Sequence, residues 1–290
     1  MSVRTALPGS QGRQLSVWDV LYKVMFYTVL ASFLLMILVP ILFTISASFR
    51  TLSEIFAAEL YLIPKEPTIE PWVEGFEDLR PFLVNSLMIA TGTVTISLLV
   101  AVPGAYVFAR TTFPGRKPLF YLIILSLLFP HVLLVIPISD LWYDLGLYNT
   151  LPGVWLGHQT FVIPFSIWIM RDFFQKMPTN LEEAAQMYGC TKWSAFVRVV
   201  LPVAKPAIIA VLFLGFLNGW NDFLFANMIT DNRGPRPAVV ALYNVINGGS
   251  GETTDWQLLM SESLIIGLPP VVVYLFARRY ISEAFAVNAS

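Results

Sequence analysis

Two carboxylates interrupt otherwise apolar stretches of this sequence, Asp222 and Glu262. Ionisable side chains in such surroundings are functional candidates, and this pair can relay protons as an ion-coupled carrier requires. Asp222 belongs to the patch Asn218-Gly-Trp-Asn-Asp-Phe223, set between Phe213 and Phe225. Asn218, Trp220, Asn221 and Asp222 offer amides, an aromatic face and a carboxylate, a set suited to hydrogen-bonding and stacking on a hydroxylated solute. The same Asn221 and Asp222 can equally bind a neighbouring helix. Two histidines exist, His131 and His158. His131 with Asp140 and Asp144 can be drawn as an acid–base set, although a histidine beside Pro130 in a helix is more often packed or bonded to backbone. The sequence contains no G-x-x-x-x-G-K-[ST] phosphate loop and no H-E-x-x-H zinc motif. The chain is therefore not expected to be an enzyme, nor to bind a metal or cofactor itself. Its single cysteine, Cys190, excludes an internal disulfide and a cysteine zinc cluster.

The elements that position these residues follow from composition. The chain is 56% hydrophobic and 13% charged, whereas a soluble domain carries about a quarter charged residues. So few charges cannot coat a water-facing surface, and the expected class is an all-α membrane protein. A net charge of −1 gives no reason to expect nucleic acid as a partner. About 20 mainly apolar residues cross the hydrocarbon of a bilayer. Six segments qualify: 22–46, 82–108, 119–139, 154–174, 206–230 and 257–277. The first is too long for a signal peptide and is followed by more membrane, so it reads as a retained span. One transmembrane domain over 22–280 is expected, with an N-terminal segment at 1–21 and a tail at 281–290.

Six spans put both termini on one side. That side holds thirteen of the 18 lysines and arginines, and the other side five. The positive-inside rule makes the first side cytoplasmic in a multi-pass cell-membrane protein. Residues 54–78 place seven carboxylates in the first external loop. Residues 47–81, with Pro64, Pro67, Pro71 and Pro81, read as a folded-over cap rather than a helix. Residues 139–153, with Trp142, Tyr143 and Tyr148, read as an interfacial external loop, and 231–256 as a mobile one. Pro103, Pro130, Pro137, Pro164, Pro269 and Pro270 each remove a backbone donor within a span; neighbours or water must replace it.

One long polar break, at 177–202 between the fourth and fifth spans, looks built. Thr179 and Glu182 have the spacing of a capping box. Leu181, Ala184, Ala185 and Tyr188 form an apolar stripe, Gly189 suits a left-handed helix end, and Thr191 can start a second helix carrying Trp193, Phe196, Val197 and Val200. Two short helices bent at the glycine and closed off by Pro202 are predicted. Such a helix can lie in the lipid interface. Ala184 and Ala185 make a shallow lipid anchor, however, and allow close approach of another protein.

Glu183-Ala-Ala, three residues, Gly189, nine residues, then Val199-x-Leu201-Pro202 closely resembles the EAA loop of ABC-importer permeases, with Val199 where isoleucine is usual. Ser46-Ala-Ser-Phe-Arg50, Asn85-Ser86, Ala105-Tyr-Val-Phe-Ala-Arg110, Phe113-Pro-Gly-Arg116, Trp220-Asn-Asp-Phe223 and Arg278-Arg279-Tyr280 are similar to the carbohydrate branch, the six-span permeases of maltose-type importers. The tail from Ser282 departs from the glycine- and lysine-containing end of many relatives. The resemblance implies an ABC type I permease fold in which the elbow is a cytoplasmic coupling helix. Glu182, Glu183, Ala184, Ala185, Gly189, Leu201 and Pro202 would then form the ATPase-coupling site. It also implies a second, different permease subunit, a cytoplasmic ATPase dimer holding ATP and Mg, and an extracellular or periplasmic solute-binding protein. Membrane lipid surrounds the whole. The solute would be a sugar, oligosaccharide or polyol. The ion-coupled carrier using Asp222 and Glu262 is the alternative.

Overall fold

A computed structural model describes residues 17–57, 63–231, 234–248 and 255–286. The expected segment before residue 17 and the tail beyond residue 286 lie outside the described residues. Those described form helices, turns and irregular segments without a strand. In chain order the helices are α1 Val17–Ala47, α2 Leu52–Ile55, α3 Glu70–Arg110, α4 Arg116–Ser126, α5 His131–Leu145 and α6 Leu151–Lys176. Then come α7 Asn180–Met187, α8 Lys192–Ala195, α9 Leu201–Val203, α10 Lys205–Asn221, α11 Leu224–Ile229, α12 Ala238–Gly248 and α13 Trp256–Ala286.

Among the described residues, Val20–Ala47, Glu70–Arg110 and Trp256–Ala284 are each long and apolar enough to cross a bilayer as one helix. Two further pairs reach that standard only when joined across a bend, α4 with α5 at 95° and Lys192–Val203 with α10 at 73°. The expected third span, 119–139, is thus not continuous. It breaks at 127–130, where Pro130 has no N–H to carry the ladder forward. The expected fifth span, 206–230, is broken too, between α10 and α11. Helix α6 occupies the expected fourth span, but Gly153, Gly157, His158 and Gln159 dilute its apolar character and are buried.

Helix α3 is the axis of the bundle and packs along α6, α10 and α13. Close approach to α6 depends on Gly92, because the indole of Trp155 occupies the space a Cβ would need. Two polar ties reinforce that seam: Trp155 Nε1 donates to the Met88 carbonyl at 3.0 Å, and the Ser97 and Ser166 hydroxyls meet at 3.1 Å. Against α10, Ala90 and Val94 of α3 pack on Phe216 and Trp220. Near its last turns, Val102 and Ala105 of α3 share a core with Met170 and Phe174 of α6 and Phe196, Val200 and Ala204 of the elbow. Helix α1, by contrast, leaves nearly all its large apolar side chains exposed and leans mainly on α13.

Three loops fold more regularly than their sequences suggest. Helix α3 starts at Glu70 with Pro71 at its first turn, so the last third of the expected cap, 70–81, is helix. Helix α5 runs to Leu145 and carries Trp142 and Tyr143; Trp142 Nε1 then bonds the Gly153 carbonyl at 2.8 Å and folds the following turn back. The expected mobile loop 231–256 contains α12, whose first amide, from Ala238, is held by the Ser86 hydroxyl at 2.9 Å.

Candidate functional site

The break between α10 and α11 is where backbone polarity and side-chain polarity meet. Asp222 is extended, with φ −68° and ψ 121°, so helical bonding stops there. Its Oδ2 accepts the Ala226 N–H of α11 at 2.9 Å and contacts His158 Nε2 at 3.0 Å. The other ring nitrogen, Nδ1, lies 3.0 Å from the Thr93 hydroxyl of α3. A carboxylate only accepts, so Nε2 carries the proton; in a neutral ring Nδ1 then accepts from Thr93. Thr93 and His158 are buried, and Gln159 beside them donates to the Thr93 and Trp155 carbonyls. Three helices thereby hold one carboxylate in a fixed orientation.

That carboxylate edges a cleft of about 590 Å³ lined by Phe161, Phe165, Asn218, Asn221, Asp222 and Phe223. A smaller recess of about 210 Å³ continues from it past His131 and His158. Irregular backbone at membrane depth is tolerated where it lines a cavity, and this break does so. Of the four patch residues singled out in the sequence, Asn218, Asn221 and Asp222 reach the cleft. Trp220 does not. It is buried, stacked on Phe216, with Nε1 donating to the Ile266 carbonyl of α13 at 3.1 Å. Pro270, four residues on, has no N–H to give that carbonyl, so the indole supplies the missing donor. Glu262 is buried beside Gly75 of α3 and lines neither cavity. His131 packs edge-on against Phe161 at 4.6 Å, while Asp140 and Asp144 are exposed on α5. His158 was visible only as a lone histidine; the signal for it was a His-Gln pair inside an apolar run.

The elbow differs from its expected form. Helix α7 has no side-chain cap: Thr179 is itself helical, and the Glu182 carboxylate is used elsewhere. Tyr106 Oη donates to Glu182 Oε2 at 2.7 Å and Arg110 Nε to Oε1 at 2.8 Å. Arg110 Nη2 also caps the Met177 carbonyl at 2.7 Å. Gly189 does adopt the left-handed conformation, with φ +89°, and Thr191 caps α8 through the Ser194 amide at 3.2 Å. Pro202 does not close the second helix. The chain winds on through a π-helical stretch, Phe196–Val200, into α9 and bends at Ala204 into α10. The outer face carries Glu183 and Ala184, with Met187 88%, Tyr188 91% and Trp193 67% exposed, so most of the expected stripe points outward. Ala185 is half-buried, Leu201 likewise, and Pro202 exposed.

Comparison with known proteins gives one consistent picture. The family described as binding-protein-dependent transport system inner membrane component matches residues 94–285. The trehalose transport system permease protein SugB of Mycobacterium tuberculosis is 32% identical over 248 residues, covering 84% of this chain and 89% of that protein. The diacetylchitobiose uptake system permease protein NgcG of Streptomyces coelicolor is 30% identical over 248 residues, covering 84% and 81%. Among solved structures, a bacterial ABC transporter involved in the import of the acidic polysaccharide alginate aligns with a TM-score of 0.80 at 22% identity, over 92% of this chain and 98% of that one.

Proposed function

The chain belongs to the family of binding-protein-dependent transport system inner membrane components, and from that membership we propose that it is the permease subunit of an ATP-driven carbohydrate importer. The observation that carries the solute class is the cleft at the α10–α11 break. Two amides and one oriented carboxylate face a space walled by Phe161, Phe165 and Phe223. Aromatic faces stack on sugar rings, while amide and carboxylate groups bond their hydroxyls. Relatives named for trehalose and diacetylchitobiose support a neutral sugar or short oligosaccharide.

Six crossings fit this reading: α1, α3, the bent α4–α5 pair, α6, the broken α10–α11 pair and α13. With the basic end of the bundle cytoplasmic, the elbow meets a separate ATPase dimer that holds ATP and Mg. A second permease subunit completes the pathway, and an external binding protein delivers solute. The exposed Met187, Tyr188 and Trp193 supply the apolar contact the ATPase would cover. The ion-coupled alternative finds no support, since Glu262 stands apart from the cleft that Asp222 lines.

The test is uptake of labelled neutral disaccharides by cells carrying the complete system. Asn218→Ala with Asn221→Ala is expected to abolish uptake of the transported sugar while the complex still assembles. Gly189→Val forces a β-branched residue into φ > 0, where strain is severe, and should uncouple ATP hydrolysis from uptake without preventing membrane insertion. Full uptake in the first variant removes the cleft from the pathway; full uptake in the second removes the elbow from coupling.

A further inference from the structure

Outside the core that Phe196 and Val200 share with α3 and α6, helix α7 is joined to the rest of the chain through two breaks in regular helix. On one side, Met177 is extended and Pro178 has no N–H; on the other, the chain passes through the π-helical stretch and the 73° bend. A push on α7 delivered through those breaks alone would be lost in bending them. The Glu182 carboxylate offers a third connection. It is buried, and both its oxygens are taken by α3, through Tyr106 and Arg110. Arg110 also holds the Met177 carbonyl, so α3, the end of α6 and α7 converge on one guanidinium. Around it, Tyr106 packs at 4.5 Å on Phe196 and edge-on at 5.8 Å against Phe174. Bonds to charged groups in such a dry setting are short and directional.

We propose that Glu182, Arg110 and Tyr106 form a joint that makes the elbow and α3 move as one body, so that the stroke of the ATPase is delivered to α3. Glu182 is thus a positioning residue on the inner face of α7, not part of the surface the ATPase covers. The consequence reaches the cleft, because Thr93 stands on α3 about 25 Å up the helix from Arg110. Thr93 holds His158, and His158 holds Asp222. A helix displaced at its Arg110 end carries Thr93 with it and alters the orientation of the carboxylate that lines the cleft. This rests on the importer reading above, and the experiment separates the two.

The complex is assembled with its ATPase and second permease in nanodiscs, with spin labels on the native Cys190 and on Thr111→Cys at the end of α3. The distance between the labels is measured without nucleotide and with ATP trapped on a hydrolysis-deficient ATPase. With the joint intact the distance is expected to stay constant. Glu182→Gln should broaden it and make it shift by several ångströms on trapping. Tyr106→Phe, which deletes one hydroxyl, should move it in the same direction to a smaller extent. The exchange Glu182→Arg with Arg110→Glu remakes the ion pair but leaves the Met177 carbonyl without its donor, so it should narrow the distribution relative to Glu182→Gln without recovering the wild-type distance in full. A wild-type distance that itself changes on trapping, or one that is constant in all variants, overturns the joint. Failure of any ATPase to co-purify with the wild-type chain overturns the importer reading instead.

Discussion

Asp222 does two things with one oxygen, and this sets what each substitution should cost. Its Oδ2 takes the buried proton of His158 and the Ala226 amide in the first turn of α11. Asp222→Ala strips a partner from both, and an unsatisfied buried donor costs about 1–3 kcal/mol. Asp222→Asn keeps an acceptor oxygen in the same place and should lose clearly less. Thermal unfolding of the purified chain in detergent reads the difference: a large drop in melting temperature for Ala and a smaller one for Asn. Equal drops would mean that the carboxylate does not organise the break. The distinction also bears on the solute, because the Asn variant retains the cleft's shape while losing its charge. Transport that survives Asp222→Asn would assign the recognition to hydrogen bonding, not to charge.

The elements owe their irregularity to prolines and glycines whose missing groups are made good by neighbours, and this sets the limit of what the sequence discloses. The long apolar helices were legible because 20 or more apolar residues have few alternatives. The polar patch at 218–223 and the left-handed Gly189 were legible for local reasons. The partners were not: His158 lies 64 residues from Asp222, and Tyr106 lies 76 from Glu182, so no local pattern couples them. Trp220 shows the same limit, since an indole in a polar patch reads as a stacking surface until the Ile266 carbonyl is seen facing it. If Pro270 is what orphans that carbonyl, the two residues must be energetically coupled. Trp220→Phe should destabilise the chain by about 1–3 kcal/mol. In a Pro270→Ala background, where the helix supplies its own donor, the same change should cost less. A double-mutant cycle of chemical unfolding checks this, and additive effects would show that the indole is held by packing alone.

At the scale of the whole molecule, the asymmetry of charge predicts which way the bundle faces. Arg110, Arg116, Lys117, Arg171, Lys176, Lys192, Arg198 and Lys205 belong to the end of α3, the start of α4, the end of α6, the elbow and the start of α10. Several are anchored: Arg171 stacks 3.9 Å over the Phe120 ring and Lys205 lies 5.5 Å from the Tyr280 ring, while Arg110 is tied to Glu182. Cationic side chains of this density are retained on the cytoplasmic face during insertion, because moving them across the bilayer is costly. In the orientation we propose from this bias, the elbow would face the compartment where ATP is made, the condition on which the proposed coupling depends. The single cysteine gives a direct measurement, since Cys190 follows Gly189 at the tip of the elbow and is partly exposed. A membrane-impermeant maleimide should label it in inside-out vesicles and leave it untouched in right-side-out ones. Ser53→Cys in a Cys190→Ser background, at an exposed position of α2 after the first span, should give the reverse pattern. Labelling of Cys190 from the outside would invert the bundle, place the elbow beyond the reach of any cytoplasmic ATPase, and leave the charge bias without its physical cause.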